Sequence, residues 1–122
     1  MVAVGWQRVE GAVLLAASAM AYGLTQGHWG LFAFLFLVPD LSMLGYLAGP
    51  RIGAISYNTF HALIGPVVLG AAGLMAAQPL MIHIALIWLA HIGFDRGLGY
   101  GLKSPDDFHT THMGLIGKGR AQ

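Results

Sequence analysis

Apolar residues fill the chain in four long blocks, and the polar interruptions between them are short. Trp6–Thr25, Trp29–Ala48, Ile52–Ala77 and Pro79–Gly99 each come near the roughly 20 residues that cross a hydrocarbon core as a helix. The breaks "TQGHWG", "AGPRIG" and "AAQP" hold Gly or Pro, which end helices and make tight turns. Connections this short force neighbouring helices to run antiparallel. The pattern predicts an all-α fold: an integral-membrane, antiparallel four-helix bundle over residues 1–102 and a short polar tail over residues 103–122.

Composition points the same way. Of 122 residues, 57% are hydrophobic and 9% charged, and mean hydropathy is +0.68. A water-soluble domain carries about 25% charged residues, so this chain has too little polar surface to face water all round. The net charge of +1 gives no reason to expect a nucleic-acid partner, and the lack of cysteine excludes disulfides and thiolate metal sites. Arg8 before an apolar stretch resembles a signal peptide. Glu10 at the start of that stretch, with no small-residue cleavage site after it, argues for a retained first span.

Charge sets the orientation. Four antiparallel spans bring both ends of the chain to one face. Arg8, Arg51, Arg96, Lys103, Lys118 and Arg120 then all fall on or near that face, and the opposite loops hold no Lys or Arg. By the positive-inside rule this near face is cytoplasmic, with both termini.

The acidic residues and most histidines share the bias. At a rise of about 1.5 Å per residue, Glu10 enters near the cytoplasmic face and Asp40 lies near mid-membrane. Tyr46 descends from Asp40, and Tyr57, Asn58 and His61 climb to mid-depth. His91 sits just past the midplane, with Asp95 a turn closer to the cytoplasm. His91 and Asp95 are at i and i+4 and project from one helix face, as do Tyr57 and His61. An ionised Asp near the bilayer centre costs about 2.5–3.5 kcal/mol on insertion scales, so it must face the bundle interior and find a partner. Asp40, His61, His91 and Asp95 are therefore expected to converge as a catalytic and metal-ligating pocket. Two imidazoles and two carboxylates suit zinc, iron or manganese, and Glu10 and His112 are candidates to complete the shell. Tyr46, Tyr57 and Asn58 are candidate substrate-binding groups. Arg51, Arg96 and Lys103 can hold an anionic head group at the interface. The substrate class expected is a lipid or another amphiphile, drawn from the bilayer. Two other functions fit the same residues. One is a small carrier or proton relay, which would need to form a homo-oligomer. The other is a structural or partner-binding subunit in which these groups act as interhelical glue.

Three further features bear on the architecture. Pro39 lacks an N–H and should free the carbonyl of Leu35, kinking the second span. Gly45, Gly49 and Gly53, and likewise Gly93, Gly97 and Gly101, recur every four residues. This predicts close backbone packing between the near ends of spans two and four. Trp6, Trp29, Tyr46 and Tyr100 read as interfacial anchors, His28 as a residue of the far loop in water, and His109 as part of a solvated tail.

The blocks "PDLSMLGYLAGPRIGA", "YNTFH", "WLAHIGFDRGLGYGLK" and "THMG", with Glu10 early in the first span, resemble a family of small bacterial membrane proteins, the domain of unknown function 4260. The resemblance covers nearly the whole chain. It includes Glu10, Asp40, Tyr46, Tyr57, Asn58, His61, His91, Asp95, Arg96, Lys103 and His112. It implies a four-span protein of the bacterial inner membrane and carries no established activity. Pro39-Asp40 is also similar to a dipeptide of some small membrane metal-dependent hydrolases.

Overall fold

The computed structural model describes residues 2–100 in full, together with the backbone of residues 110–111 and 114–115. Among these the fold is helical: α1 Val2–Leu24, α2 Trp29–Leu35, a 3-10 helix Val38–Ala48, α3 Pro50–His61, α4 Ile64–Ala76 and α5 Pro79–Gly97. Two-residue strands, Thr110–Thr111 and Gly114–Leu115, pair antiparallel after them. The rest of the tail, with Lys103, His109 and His112, lies outside the described residues.

Three helical stretches are long and apolar enough to cross a membrane: Trp29–Ala48, Pro50–Ala76 and Pro79–Gly97. Helix α1 is 23 residues long, but Gln7, Arg8 and Glu10 in its first half make it less apolar than these three. Large apolar side chains point outward from every stretch, Leu47 at 88% exposure and Met75 at 90% among them. Such a surface is stable only against lipid or another apolar phase.

The second and third stretches are each interrupted. Helix α2 stops at Leu35, the residue whose carbonyl Pro39 cannot serve, and the chain resumes as an 11-residue 3-10 helix. The expected kink is thus a change of helix type. A 3-10 run this long is uncommon, and it stacks residues i and i+3 in one row. Pro39, Ser42 and Gly45 form such a row against α3. Ser42 Oγ donates to the Pro39 carbonyl at 2.7 Å, and Ser56 Oγ of α3 donates to the Ser42 carbonyl at 2.8 Å. A Cβ on Gly45 would lie 2.7 Å from Ser56 Cβ, so the two segments touch only because Gly45 has no side chain.

The third stretch was expected to be continuous over Ile52–Ala77. It breaks between His61 and Ile64, where Ala62 turns extended at φ −85°, ψ 154°. Pro66 has no N–H to return to the Ala62 carbonyl, so the α-helical ladder cannot run through this point.

The glycines pack differently from expectation as well. Gly93 abuts α1, where an added Cβ would sit 2.6 Å from the Leu15 nitrogen and 2.7 Å from the Gly11 carbonyl oxygen. Gly11 in turn meets Arg96 and Gly97, while Gly53 lies beneath the Tyr46 ring. Small residues therefore join α1 to α5 and the 3-10 helix to α3. They do not join spans two and four, because α1 occupies that face of α5.

The two ends of the α1–α5 pair are fastened by polar contacts. Arg8 Nε donates to the Gly97 carbonyl at 3.1 Å at the near end. At the far end His83 Nε2 of α5 lies 3.1 Å from the Thr25 carbonyl oxygen just past α1. Tyr22, fully buried among Trp29, Phe32 and His83, donates to the His28 carbonyl. His28 is exposed, as expected, and its Nδ1 also caps α2 by accepting from Gly30 and Leu31 N–H. Helix α5 ends at Gly97, and two residues on Gly99 turns the chain with a φ of +97° that suits glycine, Tyr100 N–H returning to the Asp95 carbonyl at 2.8 Å.

Candidate metal centre

Three segments each bring ligands to one point. Asp40 enters from the first turn of the 3-10 helix, held there by the break before Pro39. His61 is the last residue of α3, at the break that ends the helix. His91 and Asp95 come from one face of α5. His91 is fully buried and His61 nearly so, whereas the Asp95 side chain is 15% exposed and that of Asp40 39%.

The atoms converge tightly. His61 Nε2 lies 3.1 Å from Asp40 Oδ1, 3.3 Å from Asp95 Oδ2 and 3.1 Å from His91 Nε2. His91 Nε2 lies 3.1 Å from each of the same two carboxylate oxygens. One ligand atom from each of the four residues falls within 4.8 Å of every other. Tetrahedral bonds of about 2.0–2.1 Å place ligands about 3.3–3.4 Å apart. Adjacent octahedral ligands at about 2.1–2.2 Å are about 3.0–3.1 Å apart. The observed edges of 3.1–3.3 Å span these two cases.

The protonation pattern of His61 follows from its neighbour. Its Nδ1 lies 2.9 Å from the Tyr57 carbonyl oxygen, which can only accept, so Nδ1 carries the hydrogen. In the neutral ring Nε2 is then the lone-pair nitrogen, and that is the atom facing His91, Asp40 and Asp95. A backbone carbonyl fixing the tautomer of a histidine ligand is a recurrent device at metal sites. Tyr57 also stacks on the His61 ring, centroids 3.8 Å apart and planes within 4°. The His91 ring is braced edge-on by Phe36 at 5.4 Å, and its Nδ1 has no hydrogen-bond partner among the described residues.

Without a cation, the imidazoles pair with the two carboxylates by carrying protons on Nε2, and two imidazolium rings with two carboxylates then sum to zero charge. Two neutral imidazoles, two carboxylates and one divalent cation also sum to zero charge. The donor set therefore fits a borderline or hard divalent ion such as zinc, iron or manganese.

Other residues singled out in the sequence fall around this centre. Glu10 is exposed and stands apart from the four. With Gln7, Gly11, Leu14, Leu63 and Arg96 it lines a separate cavity of about 250 Å³. Helix α1 thus supplies none of the four ligand atoms. Arg96 points its Nη2 at the His61 carbonyl, 3.4 Å away, where a cation also complements the end of α3. Tyr57 is buried beneath His61, Asn58 and Tyr46 are half-buried, and Arg51 is exposed in the first turn of α3.

Trp88 was missed in the sequence. Its Nε1 donates to the Phe60 carbonyl at 2.6 Å, serving an acceptor that the break in α3 leaves behind. Its ring lies over Gly65, where a Cβ would come within 2.4 Å. Trp88 therefore props the turn that carries His61. Applying to Pro66 the argument made for Pro39 would have located that turn.

Neither the curated proteins nor the solved structures contain a match to the chain. A family model described as a domain of unknown function, DUF4260, matches residues 5–116, and the chain belongs to that family.

Proposed function

We propose that this protein is a four-span membrane enzyme, hydrolase-like, that uses a divalent metal held by Asp40, His61, His91 and Asp95 to act on a lipid or other amphiphile. In this reading α1 is the fourth span and both termini lie on the cytoplasmic side of the inner membrane, where the Lys and Arg residues gather. The observation that carries the proposal is the convergence of four ligand atoms, from three separate segments, to within 4.8 Å in the interior of an apolar helical protein. Ionisable groups inside a membrane are costly and are retained chiefly where they have a function.

His61 and His91 hold the cation from buried positions and define its place. Asp95 binds from the same face as His91. Asp40 is the most open of the four and faces the side from which substrate arrives, so its carboxylate is the group best placed to take a proton from an attacking nucleophile. The metal, when bound, polarises a carbonyl or phosphoryl oxygen or acidifies a water. Arg96, Arg51 and Lys103 supply positive charge toward the cytoplasmic interface for an anionic head group.

Two measurements test the proposal. Metal analysis of detergent-purified protein should find about one equivalent of metal, lost in His61→Ala and His91→Ala while circular dichroism stays helical. Wild type that binds no metal after loading contradicts the metal centre. The metal-loaded protein in vesicles should then convert ester or phosphoester lipids, scored by mass spectrometry, and Asp40→Asn should abolish turnover. Full metal occupancy without turnover of any such lipid overturns the enzymatic reading.

A further inference from the structure

An apolar groove of about 200 Å³ is walled by Leu35, Val38, Pro39, Phe60, Ile84, Ile87 and Trp88. Its walls are the three segments that carry the cluster, together with Leu35 at the end of α2. Pro39 precedes Asp40, Phe60 precedes His61, and Ile87 and Ile84 stand four and seven residues before His91 on α5. At about 1.5 Å per residue, the α5 wall of the groove runs from about 4.5 Å (Trp88) to about 10.5 Å (Ile84) beyond His91, away from the polar end of α5. It is open at the surface, where Val38 and Phe60 are each 44% exposed. The indole nitrogen of Trp88 is committed to the Phe60 carbonyl, so the groove offers no hydrogen bond to a polar guest.

We infer that this groove holds the linear alkyl chain of the substrate while the polar end of the same molecule reaches the metal centre. The inference rests on the metal reading above and narrows its substrate class to amphiphiles with a single unbranched chain next to the reacting group. Because His91 lies close to the midplane, such a molecule points its head toward the cytoplasmic interface and its tail through the midplane into the far half. It reaches the site sideways from the membrane, through the opening beside Val38. Water is a poor occupant because the lining gives it no partners. A second apolar groove of about 350 Å³ lies between α4 and α5, lined by Pro66, Leu74, Ile82 and Leu89 among others. No residue of the 3-10 helix contributes to it, which makes it an internal control.

The test uses octanohydroxamic acid with a photoreactive diazirine at the chain end, applied to zinc-loaded protein in nanodiscs. The hydroxamate chelates zinc and the diazirine reports where the tail lies. Peptide mapping should find labels on Leu35–Val38 and Ile84–Trp88. Labelling should fall to background after zinc removal, and also in Val38→Trp, which fills the mouth of the groove while leaving zinc content unchanged. Label in the α4–α5 groove or spread over lipid-facing residues, with zinc still bound, overturns the inference and leaves the metal centre standing. A protein that holds no zinc overturns both, and the metal content tells the two failures apart.

Discussion

His61 and Tyr57 are joined twice: the imidazole stacks on the phenol ring, and its Nδ1 donates to the Tyr57 carbonyl at 2.9 Å. Both contacts use the i, i+4 spacing of α3, and together they turn Nε2 toward the cluster. Replacing Tyr57 with Leu keeps the carbonyl and removes the stacking face. Zinc affinity should fall about tenfold, as for loss of a group that orients a ligand. Competition against a chromogenic chelator measures it, and unchanged affinity would show that the hydrogen bond alone fixes the ring.

Trp88 should matter at a distance. Trp88→Phe deletes the donor to the Phe60 carbonyl at the break, a loss of about 0.5–1.5 kcal/mol for one hydrogen bond. Melting temperature should drop, and zinc affinity should weaken with it because His61 follows Phe60 directly. Gly65→Ala should act in the same direction, since its methyl would displace the indole. A variant that melts lower yet binds zinc normally would separate the prop from the site.

The α1–α5 contact should be intolerant of any side chain at Gly93. Gly93→Ala places a methyl against the backbone of Leu15 and Gly11, which cannot move as a side chain would. Destabilisation of about 1–3 kcal/mol is expected, read by denaturant unfolding in mild detergent. Gly5, which has open space around it, should accept Ala without that loss.

Metal and protons compete for the same imidazole nitrogens. Ligation needs His61 and His91 neutral, so losing the metal at low pH is accompanied by proton uptake, and affinity must fall as pH falls. With two rings involved the slope approaches about two log units per pH unit well below the ordinary imidazole range. Zinc titrations across that range check the sign, and an affinity that is flat or rises toward acid would exclude histidine ligation.

Much of this was legible in the sequence because its signals are local. The i, i+4 pairing of His91 with Asp95 needs only helical periodicity. That Asp40 and His61 must find partners follows from the cost of charge in an apolar segment. Pro39 announced the end of α2, since a missing N–H acts on a carbonyl four residues back. What was not legible depends on which surfaces meet. The four-residue recurrence of Gly93 and Gly97 marks a close contact but not the partner, and α1 takes the place expected for the second span. Glu10 shares the near end with the cluster, yet its position on α1 turns it to the cavity beside Arg96. Trp88 looks like any apolar residue of α5 until the break in α3 exposes a carbonyl for it to serve.

The central claim is that two imidazoles and two carboxylates bind one metal ion, and X-ray absorption at the edge of the bound metal tests it most directly. The expected spectrum has only nitrogen and oxygen neighbours at about 2.0–2.2 Å, with the outer-shell scattering of two imidazole rings that disappears in the His61→Ala, His91→Ala double variant. A first shell of oxygen without imidazole scattering, or a wild-type spectrum that the double variant leaves unchanged, would contradict it.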